Sequence, residues 1–92
     1  MEKAEISLHQ VKIYRHLAES KGWLTNKDIA KTTGVSLRNV SYHTRRFVDL
    51  GVCDQAEVYP GHRYRLSDKA EKRNASYMLR LKQADEVFRS LE

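Results

Sequence analysis

A single cysteine, Cys53, leaves no partner for a disulfide within the chain and no thiolate pair for a metal centre. With one proline, Pro60, and four glycines, at 22, 34, 51 and 61, long stretches run without a helix breaker. No apolar run approaches the roughly 20 residues that cross a bilayer, and the first thirty residues lack the continuous apolar centre of an export signal. No membrane association and a cytoplasmic, reducing location are expected. There is no glycine-rich phosphate loop and no nucleophile-and-base spacing, so neither an enzyme nor a cofactor site is expected. His9 and His16 lie two helical turns apart without further ligands nearby, and are read as ordinary, partly exposed side chains rather than a metal pair.

What the chain does have is basic charge at one-domain size. A chain of 92 residues buries only about two-thirds of the surface it exposes when unfolded, so pairing with a second copy would add stability. Lys and Arg number 17 against 12 Asp and Glu, a formal +5 that favours a polyanionic partner such as nucleic acid. The excess is uneven: +1 over residues 1–25, +3 over 26–66 and +1 over 67–92.

The middle segment carries the local signals. Thr25 and Asp28 stand at the spacing in which a hydroxyl caps the fourth amide and a carboxylate faces the positive helix end. A short helix is expected from Asn26, with Ile29 and Ala30 inward, ending at Gly34 in a positive-φ turn that Val35 plugs. Ser36 should cap a second helix running to Gly51, whose Val40, Thr44, Phe47 and Val48 repeat at helical spacing. The opposite face holds Arg38, Asn39, Ser41, Tyr42, Arg45 and Arg46, and residues 36–46 carry +3 without one acid. A solvated face ordinarily mixes signs. Beyond Gly51 the sequence alternates, with Val52, Ala56 and Val58 expected toward the core and Asp54 at its mouth. Pro60-Gly61 suits the centre of a type II turn, after which Tyr64 and Leu66 should point in and Arg63 and Arg65 out.

Ala30 four residues before Gly34, the plugs Val35 and Val40, and the stretches V-S-Y-H-T-R-R-F-V-D-L-G-V and Y-P-G-H-R-Y-R-L-S together resemble the winged helix-turn-helix of MarR-type and ArsR-type bacterial and archaeal repressors. The resemblance spans Leu24 to Ser67. It implies a recognition helix that ends at a glycine, a two-stranded wing, double-stranded DNA as partner and transcription regulation, with repression, as the task. The same frame serves replication, partition or architectural factors of viruses and plasmids, and protein-interaction modules that bind no DNA; both alternatives stand at this point.

On that frame, helix 36–50 enters the major groove and its exposed N-terminal residues reach base edges. Arg38, Asn39 and Tyr42 are the expected readers, with Ser36, Leu37 and Ser41 beside them: paired donors suit guanine, an amide suits adenine, and Leu37 a thymine methyl. Arg45 and Arg46 are assigned to phosphates, as are Lys27, Lys31 and Thr33 of the preceding helix, for which a merely solvated face weighs equally. In the wing, 58–65, His62, Arg63 and Arg65 are assigned to the backbone or minor groove, with Asp54 and Glu57 on the same hairpin weakening that contribution. His43 is expected half-buried between faces. Trp23 and Leu24 fall where the resemblance implies a short strand against the wing, and Trp23 is expected as a core anchor.

Ser7 should open an earlier helix with Leu8, Val11, Tyr14, Leu17 and Ala18 on one stripe, closed by Lys21 and Gly22, and with Ile13 turned toward the C-terminal helix. After Ser67-Asp68 one uninterrupted helix is expected to about residue 91. Ala70, Asn74, Tyr77, Leu81, Ala84, Phe88 and Leu91 alternate by four and three, a coiled-coil seam. Tyr77, Leu81, Ala84, Phe88 and Leu91 are therefore the expected dimerisation residues of a homodimer, with Asn74 setting register. Folding back over the first helix of the same chain is the alternative, and the two are compatible. No small-molecule effector is legible. The expected fold is mainly α with a small β-hairpin wing: a winged helix-turn-helix over 1–66 and a long C-terminal helix, 67–92, as dimerisation element.

Overall fold

Short polar residues open the helices by taking up backbone amides that would otherwise lack partners. In the computed structural model, which describes residues 6–58 and 61–92, Ser7 Oγ accepts from the Gln10 amide at 3.3 Å and Gln10 Oε1 accepts from the Ser7 amide at 3.1 Å. That reciprocal pair starts α1, Leu8–Ser20. Thr25 and Asp28 make the same exchange at 3.1 and 3.2 Å and start α2, Asn26–Thr33. Gly34, at φ 76°, donates its amide to the Ala30 carbonyl and turns the chain into the Ser36 cap of α3, Leu37–Asp49. A second positive-φ glycine, Gly51, releases the chain into β1, Cys53–Val58, which pairs antiparallel with β2, Gly61–Leu66. Cys53 stands opposite Leu66 and Val58 opposite Gly61. Then follow α4, Ala70–Arg73, and α5, Ala75–Ser90. The expected Pro60-Gly61 turn falls on Tyr59 and Pro60, outside the described residues.

One core joins all these elements. Ile13, Tyr14 and Leu17 of α1 meet Ile29 of α2, Val40 and Phe47 of α3, Tyr64 of the hairpin, and Tyr77, Met78 and Leu81 of α5. Phe47 and Tyr77 pack edge to face with centroids 6.2 Å apart. Leu24 exchanges both backbone hydrogen bonds with Tyr64, at 2.8 and 2.7 Å, a single bridge beside the wing where a short strand was expected. Across the outside, Arg15 reaches Asp85 at 2.7 Å and Glu92 at 3.0 Å, and Arg89 reaches Glu19, tying α1 to α5.

Several expectations are corrected. The C-terminal helix is not continuous: Asn74, at φ −153° and ψ 70°, interrupts it. Its Oδ1 accepts from the Tyr77 amide while its Nδ2 donates to the Leu50 carbonyl at the end of α3, so the amide caps one helix and closes another rather than setting register between chains. Tyr77 and Leu81, assigned to a dimer seam, are buried in their own chain's core; a short core needs their area to cover α1 and α3. Val58 does not face the core but is 45% exposed, because the hairpin lifts away from the body past half-buried Ala56, and Cys53 is buried where an outward side chain was expected. Leu8 is exposed despite its place on the α1 stripe. Trp23 is no core anchor: it is 37% exposed and carries the Arg65 guanidinium 4.5 Å above its ring.

Candidate nucleic-acid interface

Burial divides α3 sharply. Val40, Thr44 and Phe47 are sealed beneath it, while Arg38, Asn39, Ser41 and Arg45 are exposed and Leu37 and Tyr42 stand 45% and 57% open. Two large side chains thus stand open on the same polar face as the exposed arginines. Tyr42 is held in place from two sides. The Arg46 guanidinium lies 5.9 Å from its ring centre, and the edge of His43 meets it at 5.2 Å. Half-buried Arg46 thus acts as a prop for Tyr42 as well as a cation. His43 is half-buried as expected, beside the ring of His9 at 6.5 Å. Burial, then the neighbouring His9 and Arg46, push its pKa below 6.5, favouring a neutral imidazole.

Ion pairing leaves a group of cations unpartnered in the same region. Ion pairs engage Arg15, Arg65, Arg73, Lys82 and Arg89, on α1, the base of the wing and the C-terminal helices. Among the described residues, Arg38, Arg45 and Arg46 of α3, Lys27 and Lys31 of α2 and Arg63 of the wing have no carboxylate within ion-pair distance. Of the acids near this face, Asp49 borders the same hollow as Arg45 without pairing with it, and Asp28 is engaged locally. Asp28 is tied to Thr25, whose backbone amide and then hydroxyl hold its carboxyl below the usual range. The result is a set of uncompensated cations across α2, α3 and the wing, which suits a polyanion.

Between the start of α2, α3 and the wing runs a groove of 340 Å³, bordered by Asn26, Lys27, Leu37, Ser41, Val58, His62 and Arg63. A second hollow of 590 Å³ continues it along α3 past Arg45 and Asp49 to Gln55 and Tyr64. The fold therefore brings Lys27, His62 and Arg63, distant in sequence, onto one channel beside Leu37 and Ser41. Ser36 lies at the α3 tip, where its Oγ accepts from the Asn39 amide at 3.2 Å.

Two assigned residues are employed elsewhere. The Thr33 hydroxyl donates to the Ile29 carbonyl at 2.7 Å and accepts from the Val35 amide at 3.2 Å, so it builds the turn instead of facing a phosphate. Arg65 is bonded to Asp54 at 3.4 Å and stacked on Trp23, at the root of the wing. It stiffens the hairpin from behind. Asn26 was missed altogether: its amide reaches both Ser41 and Thr44, a contact between helices that no local spacing announces.

The model of a family described as winged helix-turn-helix DNA-binding matches residues 6–52. No curated protein sequence matches the chain. Among solved structures, the fold is similar to that of the ST1889 protein from the thermoacidophilic archaeon Sulfolobus tokodaii, with 17% identity, a TM-score of 0.67, and coverage of 89% of this chain and 82% of that one. It is also similar to a MarR family protein from Bacillus stearothermophilus, with 18% identity, a TM-score of 0.60, and coverage of 97% and 61%. A third is MepR, a transcription regulator of the Staphylococcus aureus multidrug efflux pump MepA, with 17% identity, a TM-score of 0.57, and coverage of 95% and 66%. The chain spans less than two thirds of the length of the last two. At these identities the likeness is one of fold.

Proposed function

The chain belongs to the winged helix-turn-helix DNA-binding family, and from that premise we propose that it binds double-stranded DNA sequence-specifically as a transcription regulator, repressing by occlusion. The observation that carries this reading is the clustering on α2, α3 and the wing of six cations without an ion-pair partner among the described residues, whereas Arg15, Arg65, Arg73, Lys82 and Arg89 are neutralised and the other lysines without one, Lys12, Lys21, Lys69 and Lys72, lie on α1 and around α4. The regulatory role of MepR supports the task. Arg38, Asn39 and Tyr42, with Leu37 and Ser36, meet base edges in the major groove. Lys27, Lys31, Arg45, Arg46, His62 and Arg63 meet the backbone.

Two copies pair through the distal half of α5, where Ala84 and Phe88 are half-buried and Val87 and Leu91 stand 56% and 76% exposed. A two-fold pairing of this kind sets two recognition helices in successive major grooves, about 34 Å apart.

Selection of bound duplexes from a random pool, followed by salt titration of the selected site, tests the reading. A palindromic product and a log-log salt slope of about −4 or steeper per protomer are expected from four or more phosphate contacts. Arg38→Ala should relax preference at one base pair, a loss of about 1–3 kcal/mol there, while Arg45→Ala weakens all sequences alike. A pool that shows no enrichment, together with binding indifferent to salt, would point to an acidic protein partner instead.

A further inference from the structure

Thr44 is fully buried on the inner face of α3, and its hydroxyl donates to Asn26 Oδ1 at 2.9 Å, with the Ser41 carbonyl at 3.3 Å as a weaker second acceptor. The one proton of that hydroxyl is thereby held inward, and it orients the Asn26 amide with oxygen toward Thr44 and nitrogen toward the surface. Asn26 Nδ2 then donates to Ser41 Oγ at 3.2 Å. Because Ser41 receives this bond, its own proton is directed away from Asn26, and no acceptor among the described residues takes it. Ser41 borders the groove between α3 and the wing, beside Lys27, His62 and Arg63. An O–H donor aimed into a channel flanked by cations matches an anionic oxygen.

We infer that Asn26 is a positioning residue, which locks the Ser41 hydroxyl as a donor to a non-bridging oxygen of one DNA backbone phosphate lying between α3 and the wing. The inference rests on the DNA-binding reading above. It moves Ser41 from the base-reading set to the backbone set and gives α2 a role through an amide in addition to its lysines. A buried side chain thus dictates, through one intermediate, which way a surface hydroxyl faces.

Two measurements test it, one of them independent of DNA. In the free protein, proton NMR should give nuclear Overhauser contacts from the Asn26 side-chain amide protons to the Ser41 β-protons that exceed those to the Thr44 methyl. The reverse order would mean a flipped amide and a Ser41 that presents lone pairs, which overturns the inference. On the duplex selected from the random pool, Ser41→Ala and Asn26→Ala should each weaken binding about three- to tenfold, the range of one neutral hydrogen bond, with the salt slope unchanged. The double variant should lose no more than Ser41→Ala alone. Replacing one linkage of the duplex by a methylphosphonate should weaken the wild-type protein but not Ser41→Ala. Losses that multiply in the double variant, or a Ser41→Ala effect that follows base identity and no single linkage, overturn it. Thr44→Val, which keeps the buried volume but frees the amide, guards against a folding artefact and should reproduce part of the Asn26→Ala loss. If the wild-type chain retains no duplex, the DNA reading falls and the phosphate role with it, while the amide contacts still report which way Ser41 faces.

Discussion

Lys21 ends α1 in the left-handed conformation, at φ 59°, although Gly22 follows it immediately. A side chain with a Cβ is strained there by roughly 1 kcal/mol, and glycine is not. Lys21→Gly is therefore expected to stabilise the protein by about 0.5–1 kcal/mol, read as a rise in the urea midpoint at unchanged m-value. Asp28 yields a prediction of acid sensitivity. Its carboxyl titrates below the ordinary 3.8 because Thr25 bonds to the charged form. The unfolded chain consequently takes up the proton first on acidification. The stability from this cap is complete above the ordinary value and is lost as pH falls through the depressed one. Asp28→Asn should flatten the acid limb of a stability-against-pH curve, and an unchanged limb would remove Asp28 from the account. The cap itself was plain in the T-x-x-D spacing, because such bonds close within four residues. The strain at Lys21 was not, since the residue that takes the turn depends on where α1 must stop to let Leu24 reach Tyr64.

Among the elements, the C-terminal segment departs furthest from its sequence pattern. Its heptad spacing is real, but spacing alone does not say which partner a stripe meets. The inner half, Tyr77 and Leu81, covers α1 and α3 of its own chain, and Asn74 breaks the helix so that α5 can turn across them. Asn74→Ala removes the cap on the Tyr77 amide and the donor to the Leu50 carbonyl together. A loss of about 1–2 kcal/mol is expected from thermal or urea unfolding. The hairpin divides similarly. Alternation placed Tyr64 inward, and Asp54 already counted against the arginines of the wing, yet nothing local showed that Arg65 would be the one held between Asp54 and Trp23. Both partners come from outside its strand.

For the whole molecule, the pairing proposed above falls to the distal part of α5, since Tyr77 and Leu81 are taken up by their own core. Val87 and Leu91 stand exposed there, and replacing both with lysine should leave folding intact while halving the mass measured in solution. Binding to a two-half-site duplex should weaken far more than binding to a single half-site, because the second engagement is no longer intramolecular. A mass unaffected by both substitutions would place the contact between copies elsewhere. The same change should leave the base preference of each half-site as it was, since α3 and α5 share the core but not a surface.

The N-terminal caps of α1, α2 and α3, the Gly34 turn and, Leu8 apart, the buried stripes of these helices were determined by the sequence alone, because each depends on residues within one or two helical turns of each other. So was the acid-free face of residues 36–46, which is a matter of composition along one helix. Only the tertiary structure decided which cations stay unpaired, that Thr33 and Arg65 are employed inside the fold, and that Asn26 reaches across to Ser41 and Thr44. Those outcomes turn on distances between elements far apart in the chain, and such distances are set by how the core closes rather than by any local run of residues.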